Sequence, residues 1–229
     1  MKSENVAKFN FTELAISGLI ILFFIILTGC SNTNPSSQSS APLCLGVAYD
    51  VSQSVANVEM PAMTTAQLDQ ILAMLKKRGG VIAFGVVDEK SFEPLLRAQV
   101  VPVLGQLDER AQRNQKNIKV LADFTTAVSA KFNRPRNARR TDINGSIARF
   151  ALFFDEPNHP ANAEKIFIFV SDGFDTGAWR KFKGIHLADD VLVFAVGMET
   201  RLAEKLFGAN VTLFESIDAA IKSLDHSSQ

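Results

Sequence analysis

The chain of 229 residues has only two cysteines, three histidines and a single tryptophan, and its 24 Lys and Arg balance 24 Asp and Glu. Each shortage closes a route. Two thiols, Cys30 and Cys44, cannot build a disulfide framework, and no CxxC pair is present to hold a metal. Cys44 sits inside an apolar run and reads as core packing. His159, His186 and His226 lie far apart, form no ligand spacing, and read as surface or loop residues. A formal charge of zero leaves no electrostatic footprint for nucleic acid or for a strongly acidic partner. No GxGxxG follows the first apolar run of the domain, which removes a dinucleotide-binding reading. The length bounds the chain to one ordinary domain with accessories.

The longest apolar run is at the start. Lys2 and Lys8 precede Leu14 to Leu27, which is followed by Thr28, Gly29 and Cys30. The run is shorter than the roughly 20 residues that span a bilayer core. Its end, LTGC, resembles the lipobox of bacterial lipoproteins, in which the cysteine takes a diacylglycerol and becomes the first residue of the processed chain. Residues 1–29 are therefore expected to be a signal peptide and Cys30 the lipidation site. An uncleaved signal anchor is the competing reading, because Phe9 and Phe11 lengthen the apolar stretch. Residues 30–42, rich in Ser, Asn, Gln and Pro, read as a flexible tether, leaving 43–229 as the domain. Ser31 after the cysteine resembles the outer-membrane sorting signal of enteric-type bacteria, so the expected location is the bacterial envelope, on the outer membrane facing the periplasm.

From Leu43 onward short apolar runs alternate with amphipathic segments, the signature of an α/β sheet covered on both faces. The runs are LCLGVAY before Asp50, VIAFGVV at 81–87, AQVVPVL around Val101, KIFIFVS before Asp172, VLVFAVG from Val191, and VTLF at Val211. Thr64 and Gln67 match a capping box, and Leu68, Ile71, Leu72 and Leu75 recur at helical spacing before Gly79. A longer helix is expected from Glu109 to Lys131, with Ile118, Leu121, Ala122, Thr125 and Val128 on its inner face. Ile147, Phe150, Ala151 and Phe154 mark another. The last runs from Ser216, its N-cap, to Leu224, with Ile217, Ala220 and Ile221 in its stripe.

Chemistry enters where strands end. Asp50, Ser52 and Ser54 place an oxygen side chain at every second position as the chain leaves the first strand, so an extended loop would face all three one way. Ser171, Asp172 and Gly173 close the fourth main strand, putting a second carboxylate at the edge where open α/β sheets bind ligands. Between them TDINGSI offers Thr141, just ahead of a helix capped by Asp142 or Asn144. Asp175 reads as a turn or helix-start residue near this edge, and Trp179 as a packed loop anchor.

DVSQS, TDINGSI and SDG, in that order, resemble the metal-ion-dependent adhesion site of von Willebrand factor A (vWA) domains, with the resemblance spanning 43–224. It implies a three-layer, Rossmann-like α/β fold: a mostly parallel six-stranded sheet, one antiparallel edge near Val81 to Leu104, and helices on both faces. It further implies that Asp50, Ser52, Ser54, Thr141 and Asp172 hold the ion, and that an Asp or Glu of a partner protein completes its coordination. The donor chemistry agrees: two carboxylates and three hydroxyls are hard ligands suited to Mg²⁺ or Mn²⁺ rather than zinc.

One departure is the segment NARRTD, where the family commonly has small glycines. Within the basic run from Arg134 to Arg140, Arg139 and Arg140 are candidates for attracting an acidic partner surface. Asp50 after a strand and SDGFD after another also resemble haloacid-dehalogenase phosphohydrolases. Those need a second acid two residues after the nucleophile, and Ser52 cannot serve at neutral pH. The expectation is a non-catalytic binding protein, with a scaffold carrying a silent metal site as the remaining alternative.

Overall fold

The run Leu43–Asp50 forms β1, and all eight of its residues are buried because it has a strand on either side and helices on both faces. The computed structural model that shows this describes residues 41–89, 93–103, 106–176 and 186–226. The leader, Cys30, the tether as far as residue 40, Leu104 and Trp179 lie outside those residues. Around β1 lie β2 (Gly80–Val87), β3 (Leu96–Val100), β4 (Glu164–Val170), β5 (Val191–Val196) and β6 (Val211–Phe214). Their order across the sheet is β3-β2-β1-β4-β5-β6. β3 alone runs antiparallel, from Gly80↔Val100 to Phe84↔Leu96. This is the mostly parallel, three-layer architecture with one antiparallel edge that the sequence predicts.

The described helices are α1 (Gln53–Asn57), α2 (Thr65–Arg78), α3 (Leu107–Phe132), α4 (Ile143–Phe154), α5 (Thr200–Phe207) and α6 (Ile217–His226). Alternation along β1 sends Leu43, Leu45, Val47 and Tyr49 to one face, where they join Leu68, Ile71 and Leu75 of α2, Phe124 and Val128 of α3, and Ile217, Ile221 and Leu224 of α6. Cys44 and Ala48 point the other way, toward Phe150, Phe153 and Phe154 of α4 and Ala203 of α5. Each fully buried Phe or Leu contributes roughly 1.5–3 kcal/mol of transfer free energy. On this second face Gly46 permits close approach, since a Cβ there would lie 2.9 Å from atoms of both Phe150 and Phe154. Burial also pushes the Cys44 thiol up to about 12, so it packs as an inert apolar group.

Helix ends follow the sequence. Thr64 Oγ1 accepts the Gln67 N–H at 3.2 Å while Gln67 Oε1 accepts the Thr64 N–H at 3.0 Å, and Gly79 closes α2 with φ 76°. Asp142, rather than Asn144, caps α4 by accepting the Gly145 N–H at 2.8 Å. Ser216 accepts the Ala219 N–H at 3.2 Å ahead of α6. At the amino end of the sheet Arg78 is clamped by Glu164 at 2.5 Å and by the Ala41 carbonyl at 2.8 Å. The described residues all fall in one compact unit, Ser40–Gln229, and no helix among them is long and apolar enough to cross a membrane.

Three expectations need correction, and a fourth difference is a helix that the periodicity does not predict. The inner face of α3 is Asn117, Phe124, Val128 and Phe132, whereas Ile118 is 53% exposed and Ala122 is also outside. The larger phenylalanines take the core, and Asn117 is drawn inward because its amide pairs with both the N–H (3.2 Å) and the carbonyl (2.8 Å) of Val101. For the same reason β3 stops at Val100 instead of running on through AQVVPVL: Asn117 takes the backbone groups of Val101, and Pro102 has no N–H to donate. DVSQS is not an extended loop, since Gln53 already begins α1. α5 was not foreseen, its short TRLAEKLF stripe being half-buried at Leu202, Leu206 and Phe207.

Candidate metal centre

β1 and β4 are parallel neighbours, registered through Tyr49↔Val170, so the next residues, Asp50 and Ser171, leave the sheet side by side. Asp50 is 1% exposed. Its Oδ2 accepts the Ser171 hydroxyl at 2.6 Å and its Oδ1 accepts the Ser52 N–H at 2.7 Å. Ser52 occupies the N-cap of α1, yet its side chain makes no capping bond. Its Oγ instead lies 2.9 Å from Ser54 Oγ, one helical turn bringing together what an extended loop would have aligned.

Asp172 is 6% exposed. Its Oδ1 accepts the Phe174 N–H at 3.1 Å, and its Oδ2 is buried with no hydrogen-bond partner among the described residues. Gly173 follows with φ 84°, a turn conformation that L side chains rarely adopt. Thr141 is buried, and its loop is joined to the strand ends by backbone bonds. Its N–H donates to Thr176 Oγ1 at 2.8 Å, and its carbonyl accepts the Thr176 N–H at 3.1 Å. Three residues earlier, Ala138 bridges to Ser52 and accepts the Gln53 N–H at 2.9 Å. Asp142 N–H reaches the Asp88 carbonyl, at the end of β2, at 2.9 Å. Asp50, Ser52, Ser54 and Asp172 thus gather at one edge with the Thr141 loop attached beside them.

Burial holds the Asp50 carboxyl above the usual range, the Ser171 and Ser52 hydrogen bonds pull it down, and the nearby Asp172 charge pushes it up again. Asp142 is likewise raised by burial, against the pull of the Gly145 N–H. Among the described residues no group of three or more His, Cys, Asp or Glu could hold a metal, so an ion at this edge would depend on hydroxyls beside the two carboxylates. The residues fit a hard divalent cation. A buried carboxylate oxygen lacks a donor among the described residues, a second buried carboxyl lies near enough to be pushed up by the Asp172 charge, and a helix-capping serine withholds its hydroxyl from the cap.

Arg139 and Arg140 are exposed, with the Arg139 backbone N–H donating to Glu89 Oε1 at 3.1 Å. The rest of the basic run is structural. Arg134 pairs with Glu93 at 3.3 Å, and Arg136 stacks its guanidinium 5.0 Å from the Tyr49 ring centroid while donating to the Tyr49 hydroxyl and the Met60 and Pro61 carbonyls. Asp175 bonds the Asn144 amide beside the site. Ser171 and Arg136 are the residues that sequence reasoning missed. Adjacency of the first and fourth strands would have revealed Ser171 opposite Asp50, whereas nothing in the run distinguishes Arg136 from its exposed neighbours.

No protein-family model matches the chain. No curated protein matches it by sequence. Solved structures similar in fold include proximal thread matrix protein 1 from the mussel byssus, at 14% identity, TM-score 0.47, covering 81% of this chain and 46% of that one. Manganese-loaded TRAP protein of Plasmodium vivax is 11% identical, with TM-score 0.47 and coverage of 80% and 72%. A von Willebrand factor type A structure from Catenulispora acidiphila is 15% identical, with TM-score 0.44 and coverage of 82% and 42%. The chain spans less than half the length of the first and third of these.

Proposed function

We propose that this is a vWA-type binding domain that holds Mg²⁺ or Mn²⁺ through Asp50, Ser52, Ser54, Thr141 and Asp172, and captures an Asp or Glu of a partner protein on the ion. The observation that carries the reading is Asp172 Oδ2, buried and without a hydrogen-bond partner among the described residues, at an edge with a second buried carboxylate. The hydroxyls and carboxylates would bind the ion, and the ion would supply a positive charge with a coordination position left for an incoming carboxylate. Asp50 has both oxygens committed to hydrogen bonds, an arrangement suited to holding a cation's surroundings rather than to nucleophilic attack. Arg139 and Arg140 beside Thr141 would favour encounter with an acidic surface.

On this reading Cys30 carries the lipid and the tether holds the domain at the bacterial outer membrane, facing the periplasm. A Cys30→Ser protein that still partitions with detergent at the processed size would overturn lipidation. The binding reading is tested by calorimetric titration of Mg²⁺ and Mn²⁺ into wild type, Asp50→Ala and Asp172→Ala, each shown folded by circular dichroism. One saturable site is expected in wild type and none in either variant. Binding that survives both substitutions would refute it.

A further inference from the structure

Next to the candidate metal centre lies a cavity of about 260 Å³ whose walls are Met60, Pro61, Val170, Val196 and Ile217, with Glu59 and Glu215 also lining it. It shares a wall with the metal edge: Val170 immediately precedes Ser171, and the Ser171 N–H donates to the Val196 carbonyl at 3.2 Å. The volume falls below the roughly 300–1,000 Å³ of pockets for drug-sized ligands, and suits a single side chain. Its apolar wall takes an aliphatic stem, and two exposed carboxylates, neither in an ion pair among the described residues, suit a cation at the end of that stem.

Glu59 supplies an independent observation. α1 ends in a Schellman turn, with the Met60 N–H on the Val55 carbonyl at 3.1 Å and the Glu59 N–H on the Ala56 carbonyl at 3.2 Å. Glu59 therefore occupies the left-handed position, φ 53°, where glycine is preferred. A charged residue held in a costly conformation at a cavity points to use of its side chain. The nearby cation Arg136 is already engaged by the Tyr49 hydroxyl and by the Met60 and Pro61 carbonyls.

We infer that this cavity is a second recognition site that receives a lysine or arginine side chain of the partner, the stem against Met60 and Ile217 and the cation beside Glu59 and Glu215. The partner would then present an acidic residue to the metal and a basic one to the cavity. The assignment to the same partner rests on the proposed function; the chemistry of the cavity does not.

The test is a methyl-detected NMR titration of the full-length chain, in detergent and EDTA, with n-pentylammonium, using n-pentanol as the uncharged control. Saturable shifts of the Met60 and Ile217 methyls are expected with n-pentylammonium, with weaker binding of pentanol. In Glu59→Gln/Glu215→Gln the ammonium should bind roughly threefold to tenfold more weakly, as expected for two exposed charge contacts. Glu59→Gly should raise the Tm while weakening the ammonium, a trade-off that a purely structural glutamate would not give. Absence of a saturable shift, or equal binding of the two probes by wild type and the Gln variant, would overturn the inference. Since EDTA removes divalent ions, a chain that binds the ammonium but fails the calorimetric metal titration would keep the cavity and lose the metal, and the reverse pattern would separate them equally well.

Discussion

At the amino end of the sheet Arg78 meets Glu164 at 2.5 Å and donates to the Ala41 carbonyl at 2.8 Å, so this buried cation has an anionic partner within the chain, although its Nη1 has no hydrogen-bond partner among the described residues. At the carboxyl end Asp50 and Asp172 are buried as deeply, but among the described residues neither makes an ion pair, and one oxygen of Asp172 has no hydrogen-bond donor. One end spends its charge on holding strands and helix together. The other keeps two buried carboxyls without a cationic partner among the described residues, and since burial disfavours the charged form of Asp50, a bound divalent ion would offset part of that cost. On the proposed reading, stability and function are divided along the strand direction, as open α/β sheets allow.

The largest expected effect breaks the amino end. Arg78→Ala leaves Glu164 unpaired and should remove roughly 3–5 kcal/mol of stability in urea denaturation, while the Mg²⁺ affinity of the folded fraction stays as in wild type. Loss of metal affinity along with stability would show that the two ends are not independent. Within the core, Phe124→Ala should cost about 3 kcal/mol and Ile118→Ala less than about 0.5 kcal/mol, because only the former faces the sheet. Equal costs would restore the stripe expected from sequence.

At the carboxyl end the pH dependence has a definite sign. The folded pKa of Asp50 is raised above its ordinary 3.8, so the metal-free native state holds the proton more tightly than the unfolded chain. The Asp50 contribution to stability is full below 3.8 and falls as pH rises through the folded value. Thermal melts in EDTA should show this fall in wild type relative to Asp50→Asn. At a hundredfold excess over Kd, Mg²⁺ should return about 2.7 kcal/mol at neutral pH and progressively less as the carboxyl protonates. A metal effect that grows with acidification would contradict the assignment. The smallest effect is at the rim. Arg139→Ala/Arg140→Ala should slow association of a hexaglutamate probe with the Mg²⁺-loaded domain by roughly threefold at low salt and flatten its salt dependence.

Much of this was legible in sequence because periodicity is a strong signal where burial is one-sided or complete. The continuous runs became β1, β2, β4, β5 and β6, and Thr64, Gly79 and Ser216 ended helices by local chemistry alone. Two motifs, DVSQS and SDG, were visible because each follows an apolar run, and TDINGSI because it opens a helix. Tertiary choices were not visible. α3 offers two overlapping stripes, and the choice between them depends on Asn117 finding Val101 in another element. The bond of Ser171 to Asp50 depends on strand adjacency, and Arg136 became a half-buried clamp only because Tyr49 and the Met60–Pro61 turn come to lie beside it.

The most direct test of the account is to locate the ion. Crystals of the domain grown with Mn²⁺ and measured at the manganese absorption edge should show one anomalous peak at the carboxyl edge of β1 and β4, within bonding distance of Ser52 and Ser54, with Asp172 Oδ2 turned to the ion or to a water bound on it. No peak at millimolar Mn²⁺, or a single peak elsewhere on the domain, would contradict the claim that this end of the sheet is built around a cation.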